Sequence, residues 1–358
     1  MNHNIKTEKI IKELKQSIYP IFIWGAGSMS IEIEQYLKAN EIPYGGKFIN
    51  QNISQSHIVD LKEKIYTIDE LGKKYARINV IVGHGHYEKK DDLKAYSFVN
   101  EVFIVPNPYP QYKGPDEYFV KDNQEKITAV RNCLEDDISI EAFDSYINFS
   151  LTNELDYLLR IRNCVGDIFL YEDLHINDHE NFVDVGAWEG DTLAGFLKKA
   201  NGCYDNIYAV EPEPKSFEIL SKQFNNEKNI KLYQVGLGKQ SGFFYMNNKN
   251  TQSSHVIEEK EEKTEELIKI EVKTLDALFF EKRISILKIF VPFMFFDILK
   301  GGEKVIRANK PRLIVNVAAD NKSNIFDTIL WIKNLELDYK IALRYDFPMP
   351  TRLFLYAY

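Results

Sequence analysis

Short, fully apolar runs separated by amphipathic stretches dominate the amino-terminal part of the chain. Positions 8–17 carry apolar residues at helical spacing, and Ile21-Phe-Ile-Trp24 is a continuous apolar run that enters Gly25-Ala-Gly27-Ser-Met-Ser30. A second helix is expected through residue 37, then a strand at 47–50, a helix at 68–75 and a strand at 78–82 ending in Gly83-His84-Gly85-His86. Strands that alternate with helices predict a parallel, doubly wound sheet.

Helical periodicity at 117–134 and 139–161 then fills a stretch with few strand signatures. A second α/β unit is expected to start near residue 180, with strands at 182–185, 207–210, 230–235, 286–291 and 313–317. Two late β-like runs, 340–344 and 352–358, flank Asp346-Phe-Pro-Met-Pro350 and predict a terminal antiparallel hairpin. Between the third and fourth strands lies a polar insertion, 247–263, with Ser253, Ser254 and a run of Glu and Lys. It reads as a solvated or mobile loop, placed to cover a pocket at the carboxyl ends of the strands. The expected organisation is a Rossmann-like domain at 1–115, a mainly helical connector at 116–179 and a second Rossmann-like domain at 180–358.

At 358 residues the chain is too long for one small core, which agrees with this division. Hydrophobic content of 44% and charge of 27% are ordinary for a soluble protein, and a net charge of -8 argues against nucleic acid as a partner. The three cysteines, Cys133, Cys164 and Cys203, form no C-x-x-C pair and point to a reducing cytoplasm. No signal peptide is expected, because charged residues interrupt the apolar ones from the start. The strongest apolar run, 284–299, is broken by Lys288, Pro292 and Asp297 and falls short of the ~20 residues that span a bilayer. It reads as a buried strand and its continuation.

The chemistry concentrates in Phe182-Val-Asp184-Val-Gly186-Ala187-Trp-Glu-Gly190-Asp191-Thr192, followed by Ile207-Tyr-Ala-Val-Glu211-Pro212. A strand, a glycine turn, a helix and a second strand ending in an acid describe a nucleoside site. The glycines admit the ligand to the backbone, the helix start offers N–H groups, and the acid takes ribose hydroxyls. A dinucleotide would require G-x-G-x-x-G, whereas here Asp184 stands inside the loop and repels pyrophosphate. An acid there suits an ammonium group, and S-adenosylmethionine carries an amino-acid end, a sulfonium and a free ribose. A capping glycine in an ordinary strand–helix turn would explain the glycines alone. The joint arrival of turn and acid favours the cofactor.

The ordered set Asp184-x-Gly186-Ala187-x-x-Gly190, Glu211-Pro212, Val235-Gly236-Leu-Gly238, Val272-Lys-Thr-Leu-Asp276 and Ile286-Leu-Lys288-Ile289 resembles the FkbM-type family of S-adenosylmethionine-dependent methyltransferases over roughly the last half of the chain. The resemblance implies a class I methyltransferase-like fold closed by the antiparallel hairpin. It also implies O-methylation of a sugar, glycan precursor or related polar acceptor. Carried over by motif, Asp184, Gly186, Ala187, Gly190, Asp191 and Thr192 would hold the methionine end, Glu211 and Pro212 the ribose side, and Gly236 would lie near the adenine.

The chain departs from the family after Ile289. Where the family reads Asp-Val-Glu-Gly-x-Glu, this chain has Phe290, Val291, Pro292, Phe293, Met294 and Phe295, so three acids are gone. A hydroxyl losing its proton needs a base or an ion, and phenylalanine is neither. Three readings stay open. Another base serves, with Asp320, Glu213 and Tyr245 as unranked candidates; the activated donor needs little base; or the domain has become a catalytically inactive homologue that binds a nucleotide-type ligand and regulates or scaffolds glycan biosynthesis. Packing of these aromatics in a core is compatible with all three.

A second candidate ligand site joins Gly25, Gly27 and Ser30 of the first glycine turn to Asn50 and His84 at the ends of neighbouring strands. Asn50 stands where a dinucleotide site carries an acid, which disfavours NAD and leaves a nucleotide sugar or phosphorylated ligand. His84 and His86 lack a nearby carboxylate, and His175 and His179 sit in a turn-like segment, so no metal is assigned.

Overall fold

The computed structural model describes residues 5–50, 64–85, 87–107, 112–161, 164–247, 256–257, 267–320 and 323–358. The chain divides into two compact units, one of Met1–Gln111, Ser145–Arg162 and Phe347–Pro350, the other of Tyr112–Asp144, Asn163–Asp346 and Thr351–Tyr358. Residues 116–179 are therefore split between the two.

The first unit runs α1 (Ile5–Lys15), β1 (Ile21–Trp24), α2 (Ser28–Ala39), β2 (Lys47–Ile49), β3 (Ile65–Thr67), α3 (Ile68–Lys74), β4 (Ile78–Val82) and β5 (Val99–Phe103). Its five strands pair in parallel in the order β3-β2-β1-β4-β5. Continuous apolar runs suit such a sheet because both faces are covered. Phe22, Trp24, Val80 and Val82 enter one core cluster, while Ile21, Ile23 and Ile81 enter another, as the two-residue period of a strand dictates. A capping box at Thr67 and Glu70 starts α3. The sequence pattern missed β3 and β5.

Four helices follow as expected from periodicity: α4 (Glu117–Asp122), α5 (Gln124–Arg131), α6 (Asp137–Thr152) and α7 (Asp156–Leu159). The second unit then builds β6 (Glu180–Val185), α8 (Asp191–Ala200), β7 (Tyr204–Val210), α9 (Pro214–Phe224) and β8 (Ile230–Tyr233). Next come β9 (Gly236–Leu237), β10 (Gly242–Asn247), β11 (Val256–Ile257), β12 (Leu267–Lys273), α10 (Leu275–Phe279) and β13 (Ile286–Ile289). The chain closes with α11 (Phe295–Lys300), α12 (Glu303–Asn309), β14 (Arg312–Asn316), α13 (Asn324–Asn334), β15 (Ile341–Tyr345) and β16 (Leu353–Ala357).

Seven of these strands form the main sheet, in the order β15-β16-β14-β13-β6-β7-β8. The hairpin is present, and β16 enters the sheet antiparallel between β14 and β15. On one face Phe182, Ile207, Ile286, Ile314 and Phe354 meet Leu193 and Phe196 of α8 and Leu220 and Phe224 of α9. Each such side chain contributes about 1.5–3 kcal/mol on burial. Two corrections to the sequence expectation concern the middle of this unit. The third and fourth strands stop at Tyr233 and Ile289, and a separate four-stranded sheet, β11-β10-β12-β9, occupies part of what read as loop. Within the expected insertion, Asn247 ends β10 and pairs with Leu267, and Val256 and Ile257 pair with Met246 and Tyr245; the remainder, including Ser253 and Ser254, lies outside the described residues.

Candidate functional site

The turn after β6 has a shape that its glycines make accessible. Gly186 has φ +74° and Gly190 φ +95°, in the left-handed region. A Cβ on Gly186 would collide with the Phe290 carbonyl beyond β13, and one on Gly190 with the Phe224 ring of α9. Between them, Ala187 is buried and Trp188 is a non-glycine residue at φ +48°. The backbone donors of Gly186 and Ala187 both reach the Val210 carbonyl, at 3.0 and 3.1 Å, so the turn is tied to the end of β7.

Asp184 is fully buried, and the structure gives it a cation from its own chain. Lys288 Nζ donates to Asp184 Oδ1 at 2.7 Å and to the Gly186 carbonyl at 2.9 Å. The parallel register of β6 and β13 sets the two residues side by side. Burial pushes the Asp184 carboxyl above the ordinary range, and the ammonium opposes that shift. A ligand ammonium was the expected partner of Asp184; within the chain, Lys288 pairs with its Oδ1. Asp184 Oδ2 is buried and has no hydrogen-bond partner among the described residues.

Glu211 closes β7 and is 7% exposed. Its Oε2 accepts from the Trp188 N–H at 2.9 Å and its Oε1 from the Glu213 N–H at 2.9 Å. Burial pushes its pKa to about 7; the two N–H groups and Lys288 pull down, while Glu213 pushes up. Glu189, in the turn, is raised by burial and then by Asp191 and Glu213. The strand ends thus gather carboxylates that favour a cationic ligand and disfavour a polyphosphate. Among the other predicted residues, Gly190 caps α8, Asp191 and Thr192 open it, and Pro212 links Glu211 to Glu213. Gly236 is buried in β9, in register with Val272 of the smaller sheet.

Two of the three candidate bases cap helices. Glu213 Oε2 accepts the Ser216 N–H at 2.6 Å at the start of α9, and Asp320 Oδ2 accepts the Asn324 N–H at 2.7 Å at the start of α13. Tyr245 lies in β10, paired with Lys269. The segment that replaces the family acids bends tightly: Phe293 takes φ +64° and its N–H donates to the Ala319 carbonyl at 2.9 Å. Pro292 and Phe295 are buried, whereas Phe290 and Phe293 are partly exposed. Phe290 lies beneath two cations, Lys288 at 5.9 Å and Arg352 at 5.2 Å from its ring centre. At these positions core packing holds for Phe295 and only in part for the other rings.

In the first unit, Gly25 (φ +136°) approaches Gly83 so closely that a Cβ would strike the Gly83 carbonyl. Gly27 caps α2 without a side-chain bond, and the buried Ser30 turns its hydroxyl back to the Gly27 carbonyl at 2.7 Å. His84 stands edge-on to Trp24, with ring centres 4.4 Å apart. Asn50 follows β2, and its buried Oδ1 has no hydrogen-bond partner among the described residues. The two glycine turns therefore meet at the carboxyl ends of β1 and β4; His86 lies outside the described residues.

Residues 184–341 match the model of a family described as the methyltransferase FkbM domain. These residues form an FkbM methyltransferase domain. The match supports methyltransferase activity with S-adenosylmethionine as the cofactor. None of the curated proteins matches the chain. Among solved structures, the methyltransferase FkbM from Methylobacillus flagellatus KT is similar over 100% of this chain and 94% of its own, with a TM-score of 0.61 and 17% identity. That similarity shows a shared fold. An rRNA methylase from Streptococcus thermophilus is 15% identical, covering 51% of this chain and 87% of its own, with a TM-score of 0.32. A SAM-dependent methyltransferase from Leishmania major is 12% identical, covering 69% and 96%, with a TM-score of 0.32.

Within the FkbM domain, sequence reasoning placed the glycine turn and Glu211, and missed Lys288 as the partner of Asp184. A lysine inside the apolar strand Ile286-Leu-Lys-Ile289 was the available signal, since a buried lysine requires an acid.

Proposed function

We propose that the FkbM domain transfers the methyl group of S-adenosylmethionine to a hydroxyl of a sugar, glycan precursor or similar small polar acceptor. The observation that carries the cofactor half is the buried Glu211 carboxylate, held by the Trp188 and Glu213 N–H groups at the end of β7 beside the glycine turn. Glu211 is the proposed acceptor for the ribose hydroxyls, and Gly186, Ala187 and Gly190 keep the backbone low where the amino-acid end would lie. The orphaned buried oxygens of Asp184 and Glu213 mark unspent hydrogen-bonding capacity around that place. The acceptor class rests on the family resemblance.

When bound, the cofactor supplies an activated methyl group on a sulfonium. The chain's own residues would then orient the acceptor and exclude water, with Phe290 and Phe293 forming apolar walls. Asp320 is buried in a helix cap, so positioning is asked to do more than proton abstraction. Turnover of labelled S-adenosylmethionine with a panel of nucleotide sugars and glycan fragments tests this reading, and label in one of them is the expected result.

A second reading, a homologue that binds without turnover and regulates or scaffolds glycan biosynthesis, is favoured by one observation: Phe290, Pro292 and Phe295 stand where the family has acids. It predicts cofactor binding with no label in any acceptor. Among the described residues no helix is long and apolar enough to cross a membrane. A cytoplasmic location belongs to the proposal.

A further inference from the structure

Lys288 is buried in the centre of a strand, 1% exposed, where its charge needs a reason. It bridges two groups, the Asp184 carboxylate and the Gly186 carbonyl. From Gly186 the chain continues through Ala187, whose N–H is held by Val210, to Trp188, whose N–H holds Glu211. The Lys288 ammonium and the Glu211 carboxylate therefore hold the two ends of one short backbone segment, Gly186–Trp188, whose first residue is a glycine at φ +74°.

We propose that Lys288 is a positioning residue for the cofactor, fixing the Gly186–Trp188 turn and so the carboxylate that takes the ribose. This rests on the reading of Glu211 as the ribose acceptor. A lysine that only neutralised Asp184 would be replaceable, together with its partner, by a neutral pair of similar shape. One that sets the turn would not be. Its charge also acts on Glu211 directly, against Glu213 from the start of α9, with Glu189 and Asp191 from the turn and α8 adding to the local negative charge.

The test is titration calorimetry with S-adenosylhomocysteine from pH 6 to 9, with thermal unfolding alongside, on the wild type, Lys288→Met, Lys288→Arg and the double variant Asp184→Asn/Lys288→Met. Lys288→Met should lose stability, because it leaves a buried carboxylate unpaired, and the double variant should recover much of it. The folded double variant should still bind roughly tenfold or more weakly, the scale of one lost charge-assisted hydrogen bond. Its affinity should also fall off at a higher pH than in the wild type. Lys288→Arg, which keeps the charge, should retain the wild-type pH profile. Wild-type affinity and pH profile in the folded double variant, or an arginine variant whose profile shifts upward, would overturn the proposal. Wild-type protein that binds no S-adenosylhomocysteine would instead overturn the reading of Glu211, and the Lys288 proposal with it.

Discussion

At the scale of single residues, Glu211 and its surroundings make the sharpest statements. A carboxyl whose pKa is pushed up to about 7 holds its proton more tightly in the folded state than in the unfolded one. Its ionisation therefore opposes folding: the stability it contributes is full below the unfolded pKa and is lost as pH rises through about 7. A shift of this size amounts to at most about 3 kcal/mol. We expect the melting temperature of the ligand-free protein to fall more steeply between pH 5 and 8 in the wild type than in Glu211→Gln; parallel curves would refute the assignment of that titration to Glu211. In the proposed site ribose hydroxyls donate to the carboxylate, so ligand binding runs the other way. Affinity for S-adenosylhomocysteine should rise from pH 6 to 8, approaching tenfold per unit below pH 7.

At the scale of elements, the turn between β6 and α8 depends on a glycine the sheet cannot do without. Gly186→Ala would place a methyl group against the Phe290 carbonyl in a left-handed backbone. We expect a loss of about 1–3 kcal/mol in unfolding free energy, measured by denaturant titration, and weakened S-adenosylhomocysteine binding. An alanine variant as stable as the wild type would show that the turn relaxes freely. Legibility in the sequence followed the same logic. β1, β4, β6 and β13 are buried along their length, and the apolar majority in each was visible in the sequence. β3 is three residues long and leaves no period to find. β5 places Asn100 and Glu101 on an exposed edge, which hides it. β12 alternates burial along Leu267–Lys273, a signal present in Ile-Lys-Ile-Glu-Val but masked by the charged residues before it. Glu211 was visible because an acid ending an apolar strand has few other uses. The Asp184–Lys288 pair was not, because the partners lie far apart in sequence and only the register of β6 against β13 joins them.

At the scale of the whole molecule, the FkbM domain needs chain from outside its family boundaries. In the second unit Arg344, 4% exposed, pairs with Asp136 at 2.7 Å and with Ser139 at 2.9 Å, and the Glu135 N–H reaches the Ile341 carbonyl at 2.9 Å. A fragment spanning 180–358 would lose the Asp136 and Ser139 partners of Arg344 and the cover that the 135–139 segment gives it. Its thermal transition should be much lower or absent compared with the whole chain; an equally cooperative transition would contradict this. In the proposed function, residues 184–341 hold S-adenosylmethionine through Glu211. Titration calorimetry of the whole chain with S-adenosylhomocysteine tests it directly, comparing the wild type with Glu211→Ala. The wild type should bind saturably, and a folded variant roughly tenfold to hundredfold more weakly. A folded wild type that binds no S-adenosylhomocysteine, or a variant of unchanged affinity, would contradict it.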